Sequence, residues 1–262
     1  MKLDLAVYVP AIGQNELLNS VLRELWDHST HDPDMTASFV IDNASREPIK
    51  TRYAEVIRNE ENLGMVGSLQ QAVEHSNAEI LVYMHSDMYI YENGWDSKLV
   101  DAFRSDPKLG ALGVVGAPSA DANGGRGGTL CAFRDWQNHG AKPSQFITPV
   151  AILDGCFVAY RRAFLENIDW ESFEDNGYYF YDKDISLTLT MQSHHVGVVN
   201  FDCAHLGGQT SCRPEFNDTL AERKENHDLI YARSENRYLE KWKAVLPVKV
   251  RSDWHVDVGV KS

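Results

Sequence analysis

Short β-rich runs alternate with helical patterns through the first half of the chain. Leu3 to Val9 is an almost unbroken apolar run closed by Pro10, which predicts a buried strand. Glu16 to Trp26 follows, with Leu17, Leu18, Val21, Leu22 and Leu25 at helical spacing. Ser38 to Ile41 and Ala54 to Arg58 read as a second and third strand. Gly67 to His75 reads as a helix, and Glu79 to Met84 as a strong central strand. This alternation predicts βαβ units and a mainly parallel, mixed α/β sheet flanked by helices. Ligands of open α/β sheets sit at the carboxyl ends of the strands, where Asp42 and His85-Ser86-Asp87 fall.

The second half is less regular. The run Leu112 to Gly116 predicts a strand that leads into PSADANGGRGG (Pro118 to Gly128), whose glycines, Asn and Asp oppose regular structure. A long loop inside a compact domain suggests a lid or an insertion. An apolar segment follows over Val150 to Tyr160, then a short helix over Arg161 to Asn167. Beyond an aromatic and acidic stretch through Tyr181, a helix is expected near Asp184 to Gln192 and a β-rich run over Gly197 to Phe201. Asp218 to Lys243 looks helical and charged, with Leu220, Ile230, Tyr231, Tyr238 and Trp242 as packing positions.

Composition narrows the classes. The 262 residues are 43% hydrophobic, enough for one large α/β domain. No apolar run approaches the roughly 20 residues that span a bilayer, and the N-terminus lacks the regions of a signal peptide. A cytoplasmic protein, at most peripheral to a membrane, is therefore expected. The net charge of −13 repels phosphate backbones and argues against a nucleic-acid partner. From Thr219 onward nine Lys/Arg meet seven Asp/Glu, so the acidic excess lies in the first 218 residues and the tail is compositionally separate. Cys131, Cys156, Cys203 and Cys212 lack the spacing of a zinc site or a disulfide framework.

The polar clusters at the strand ends, taken in order, resemble glycosyltransferase family 2. VYVPAIGQNELLNSVLREL (from Val7) is similar to that family's first strand, loop and helix, and FVIDNAS (from Phe39) to its second strand. NLGMVGSLQQAVEHSNAEILVYMHSDM (from Asn62) resembles the donor-binding half, with Asn62 and Gly64 at its turn and Gln70 in place of a second Asn. The metal motif of the family is commonly Asp-x-Asp; here Asp87 matches the last acid and His85 replaces the first. ILDGCFVAYRR and YDKDISLTL supply Asp154-Gly155 and the acids Asp182 and Asp184, and VVNFDCAHLGGQTS supplies His205 before Gly207-Gly208.

The resemblance implies a GT-A, Rossmann-like fold over residues 1–217, with a nucleotide-sugar half (1–116), an acceptor and catalytic half (117–217), and a helical extension over 218–262. It implies a metal-dependent inverting transfer from a nucleotide diphosphate sugar, a UDP-sugar for preference, to a glycan, lipid-linked or other hydroxyl acceptor in surface polysaccharide or glycoconjugate synthesis. The donor contacts it implies are Asp42 and Asn43, Asn62 and Gly64, together with Pro10, Ser86, Asp154 and Gly155. A divalent ion, Mn2+ or Mg2+, falls to Asp87, His205 and His85; an imidazole ligand tilts the choice toward Mn2+. Asp184 matches the general base, with Asp182 as the second candidate, since a hydroxyl becomes a competent nucleophile as a carboxylate takes its proton.

Blander readings stand beside these. Asp42-Asn43 suits a turn and Asp184 a helix N-cap. The aromatics between Trp170 and Tyr181 serve either as core or as a sugar platform, with Glu171, Glu174 and Asp175 favouring a partly exposed site. The other histidines look structural or solvent-facing. A non-catalytic nucleotide-sugar-binding scaffold and a nucleotidyltransferase are the rival functions, although no Gly-rich, basic phosphate loop follows the first strand. A homo-oligomer is compatible with all of these.

Overall fold

One eight-stranded sheet organises the chain. The computed structural model describes residues 2–173, 178–209, 217, 220–221 and 224–259. Glu174, Asp175 and Cys212 lie outside the described residues, and the expected division at residues 217 and 218 falls at their edge. The first half supplies β1 (Leu5–Ala11), α1 (Asn15–Asp27), β2 (Thr36–Asn43), β3 (Glu55–Asn59), α2 (Gly64–His75) and β4 (Ile80–Met84). β5 (Met88–Ile90), α3 (Trp95–Ser105) and β6 (Leu109–Gly113) complete it. Across the sheet the order is Ile147–Pro149, His195–Val199, β6, Phe157–Arg161, β4, β1, β2, β3.

β1 runs parallel to β2 and β4, and β2 parallel to β3, as the βαβ pattern predicts. Strand Phe157–Arg161 enters antiparallel between β4 and β6. Helices cover both faces, so β1 and β4 are buried throughout and read as continuous apolar runs. On one face Leu18 and Leu22 of α1 and Trp95, Leu99 and Phe103 of α3 pack on Leu5, Val7 and Val9. On the other, Leu69, Ala72 and Val73 of α2 meet Ala6, Tyr8, Leu81 and Tyr83. Pro10 does not end β1 as expected; the strand continues to Ala11 with Pro10 opposite Ile41, near the end where one absent N–H costs little.

The Gly-rich segment departs most from expectation. Ser119–Ala120 and Arg126–Gly127 form a hairpin, and Ser119–Ala120 also pairs with the C-terminal strand Val248–Val250, itself paired with Val256–Val258. The turn is held by Asp121, whose carboxylate accepts from the backbone N–H groups of Asn123 and Gly125 at 2.8 and 2.9 Å. Gly124 has φ +71° and lies against the ring of Tyr238, which a Cβ there would strike. This segment is therefore a fixed hairpin, built by side-chain and tail contacts that a composition of glycines does not reveal.

The short α4 (Arg162–Leu165) leads toward α5 (Tyr181–Met191), and α6 (His227–Trp242) lies across the domain. Asn226 caps α6, its Oδ1 accepting from the N–H of Leu229 at 2.9 Å. Tyr238, Trp242, Leu246 and Val248 form one cluster with Ala117, Ala120, Ile152, Phe180 and Leu187. The tail is thus packed into the body. No helix among the described residues is long and apolar enough to cross a membrane.

Asp184 of α5 anchors α6. It has no exposed surface. Lys241 Nζ donates to its Oδ1 at 2.6 Å and Trp242 Nε1 at 3.2 Å, while Arg237 donates to its Oδ2. This corrects its expected role: with its oxygens turned into the α5–α6 contact, Asp184 faces neither cavity described below. Asp184→Asn keeps the shape but leaves Arg237 and Lys241 beside a neutral amide. Breaking a buried ion cluster costs about 3–5 kcal/mol. The expected outcome is a loss of that size in urea unfolding, with metal binding unchanged in the protein that remains folded.

Candidate active site

Two adjoining cavities open at the carboxyl end of β4. β4 stops at Met84, and the backbone N–H of His85 donates to Cys156 O at 2.9 Å, which holds the His85 turn against the Asp154-Gly155 segment. β5 then pairs antiparallel with Cys203–His205, Met88 opposite His205, and this returns His205 to the same corner. His205 Nε2 lies 3.1 Å from Asp87 Oδ1, and the His85 and His205 rings are 5.5 Å apart. One ligand atom from each of His85, Asp87 and His205 falls within 4.8 Å of the others. Gln209 adds a backbone N–H to Asp87 Oδ2 at 3.4 Å.

The electrostatics suit a cation. Burial alone would raise the Asp87 carboxyl, but the hydrogen bond and charge of His205 prevail and hold it below its usual value. Burial pulls His205 down, yet Asp87 prevails and raises it. His85 is lowered, first by burial and then by His205, which keeps a neutral imidazole available as a ligand. Two imidazoles and one carboxylate form a mixed nitrogen and oxygen donor set able to hold a divalent transition-metal ion.

The first cavity, about 220 Å³, is lined by this cluster and by Pro10, Asn43, Asn62, Gly64 and Ser86. Asn62 Oδ1 accepts from the N–H of Gly64 at 2.9 Å, closing the turn that opens α2, and Gly64 takes φ +67° there. Asn43 is braced from below by Ser68 Oγ at 2.8 Å and by Asn59. Asp42 is not brought to the cavity. It is fully buried, its Oδ1 accepting from the N–H of Ser45 at 2.9 Å and its Oδ2 from Arg58 at 2.5 Å and the N–H of Ile49 at 3.2 Å. The turn reading of Asp42 is the one its contacts express, against the base contact expected of it. Gln70 faces away and donates to Glu74.

The second cavity, about 290 Å³, shares His85, Tyr178 and Tyr179 with the first. Asp154, Gly155, Asp182, Lys183, Arg126 and Tyr231 complete most of its wall. Arg126 donates to Asp154 Oδ2 at 2.5 Å and lies 3.9 Å from Asp182. Asp182 accepts from the N–H groups of Gly155 at 2.9 Å and Lys183 at 2.8 Å. Gly155 is required where it stands, because a Cβ would strike the Tyr181 hydroxyl. Burial would raise Asp154, but Arg126 brings it down to about 2. Asp182 is instead raised, first by burial and then by Asp154. Two carboxylates whose surroundings drive them apart divide into a fixed anion and a proton acceptor.

Of the acids at the start of α5, only Asp182 faces a cavity. The aromatic stretch divides: Tyr178 and Tyr179 line both cavities, Phe180 and the buried Tyr181 line the second, and Phe173 belongs to the core alone. Sequence analysis misses Arg126, Gln209 and His227. His227, expected to be structural or solvent-facing, also lines the first cavity from the start of α6, its Nδ1 2.6 Å from the Tyr179 hydroxyl.

Residues 47–225 match the model of a family described as a glycosyltransferase-like family. The chain belongs to this family. Among solved structures, GalNAc-T7 with UDP, GalNAc and Mn2+ has TM-score 0.63 and 14% identity, over 81% of this chain and 45% of that one. The mannosyltransferase PcManGT from Pyrobaculum calidifontis, in complex with GDP-Man and Mn2+, has TM-score 0.51 and 17% identity, over 94% and 71%. The chain thus spans less than half the length of GalNAc-T7. These likenesses establish a GT-A fold. No curated protein matches the chain.

For this member of the family the cluster makes a binding claim that needs no turnover. Loss of an outer-shell partner alone weakens metal affinity about 10–100-fold, so losing a direct ligand is expected to cost at least that. Electron paramagnetic resonance of Mn2+ in the presence of UDP is expected to show one bound ion, weakened to this extent in Asp87→Ala and His205→Ala. Binding needs neutral imidazole, so affinity falls as pH is lowered through the raised His205 value. Equal binding by both variants speaks against the site.

Proposed function

We propose that this chain is a metal-dependent inverting glycosyltransferase that moves a sugar from a nucleoside diphosphate sugar to an acceptor hydroxyl. The observation that carries the reading is the junction of the two cavities: the His85, Asp87 and His205 cluster faces one, Asp182 faces the other, and His85 belongs to both. The family membership, and the Mn2+ and nucleotide or nucleotide-sugar ligands in the solved neighbours, support it.

In this reading Asn43, Asn62 and Gly64, with Pro10 and Ser86, cradle the nucleoside in the first cavity. A divalent ion held by His85, Asp87 and His205 would offset the negative charge that gathers on the departing diphosphate. Asp154 and Gly155 contact the transferred sugar at the junction. The acceptor occupies the second cavity against Tyr178, Tyr179 and Tyr231. Asp182 takes the proton from the acceptor hydroxyl as that oxygen forms a bond to the anomeric carbon. The bond from that carbon to the diphosphate oxygen breaks, and its electron pair leaves with the nucleoside diphosphate. Positioning and charge stabilisation supply most of the acceleration.

The family resemblance favours a UDP-sugar donor and a glycan, lipid-linked or other hydroxyl acceptor in cytoplasmic synthesis of surface polysaccharide or glycoconjugate. Residues 1–217 carry the reaction, and the extension from 218 serves as its brace. A general base contributes about 100- to 10,000-fold, so Asp182→Asn is expected to lower nucleotide-sugar turnover by that factor with UDP affinity kept. Because the base acts deprotonated and its value is raised above that of an ordinary aspartate, activity at saturating Mn2+ falls as pH drops through that raised point. Sugar transfer and donor hydrolysis measured across pH test both. Full turnover in Asp182→Asn contradicts the assignment.

A further inference from the structure

Arg126 is the only cation that touches the two cavity carboxylates among the described contacts. It arrives on a hairpin far in sequence from both and is kept in place by the C-terminal strand Val248–Val250, which pairs with the other hairpin arm. Its guanidinium is shared unequally, 2.5 Å from Asp154 and 3.9 Å from Asp182. Lys183 is directed elsewhere: its Nζ donates to Gly124 O at 3.2 Å and rests 4.5 Å from the centre of the Phe180 ring. Asp182 is therefore compensated by two backbone N–H groups and a distant guanidinium, and Asp154 by a direct ion pair.

We propose that Arg126 is a positioning residue that makes these two carboxylates unequal, pinning Asp154 as a permanent anion and leaving Asp182 to accept the acceptor's proton. This rests on the reading of Asp182 as the base. Two carboxylates at one site cannot both ionise freely, and without a cation they share a proton as a coupled pair. Arg126 removes that competition. The other groups that face the pair do not substitute for it. Tyr160 and Tyr181 stay protonated, being raised by burial, as is the Cys156 thiol. His85 is kept neutral by burial, and Asp121 acts on Lys183.

Arg126 also explains why the tail is built into the domain. The hairpin that bears it has two short arms and a glycine turn, too little to fix a guanidinium unaided. Val248–Val250 lengthens it to a sheet, and Tyr238 of α6 packs on Gly124.

The test is a carboxylate titration by 13C NMR on Asp-labelled protein, assigned with Asp154→Asn and Asp182→Asn, alongside the pH dependence of turnover. In the unmodified protein one Asp is expected to titrate well below the usual range and one above it. In Arg126→Gln the lower titration is expected to rise, and the acid limb of the pH–rate profile to move to higher pH by at least one unit. Arg126→Lys, which keeps the charge, is expected to restore much of the limb, and Arg126→Met serves as the neutral variant if Arg126→Gln does not fold. Unchanged titrations and an unmoved limb in a folded variant that carries a neutral residue at position 126 overturn the proposal, even if turnover falls evenly at all pH. Retained turnover in Asp182→Asn overturns the base assignment instead, and the NMR titration of Arg126→Gln still reports on the pair by itself.

Discussion

The antiparallel pairing of Phe157–Arg161 with β4 is the constraint on which the site depends. Its register sets Phe157 opposite Met84, and the chain just before it delivers Cys156 O to the N–H of His85 at 2.9 Å. That contact joins two motifs about 70 residues apart. His85 and Asp87 belong to the end of β4, Asp154 and Gly155 to the approach to the next strand, and no other arrangement of the sheet lets both edge the same opening. A parallel strand in that position would run its approach to the opposite edge, far from the carboxyl ends where open α/β sheets bind ligands.

The C-terminal segment is a second support. Asp184 draws Arg237, Lys241 and Trp242 of α6 onto α5, two residues from Asp182. The same helix sends His227 to the Tyr179 hydroxyl and Tyr238 against the hairpin that carries Arg126. A carboxylate without exposed surface thus acts on the cavity by holding the wall still. Its charge is spent on the anchor, and the neighbour that retains exposure meets the substrate side.

Much of this was legible in the chain. The strands and helices up to Met84 follow from hydrophobic periodicity because helices cover both sheet faces and leave apolar runs. Pro10, Asn43, Asn62, Gly64, Ser86 and Asp87 reach the cavity because strand ends and turns fix them locally, and His205 because its short strand pairs with β5. α3 goes unassigned although Trp95, Leu99, Ala102 and Phe103 stand at helical spacing; Gly94 opens it without a capping side chain, so its start carries no signal. Asp42 and Asp184 are misread for a shared reason: spacing places an acid at a strand end or helix start but does not say which side its carboxylate turns to. For Asp184 the distant Arg237 and Lys241 decide that; for Asp42 the N–H groups of Ser45 and Ile49 in the turn that follows it do, together with Arg58. The Gly-rich hairpin fails likewise, because its order comes from a strand about 130 residues later.

The proposed reaction is a single displacement, with Asp182 on the acceptor side of the sugar and the diphosphate on the other. Proton NMR of the first sugar released or transferred, followed before mutarotation, reads this directly. An α-linked nucleotide sugar is expected to yield the β anomer first. Initial formation of the α anomer rules out the single displacement.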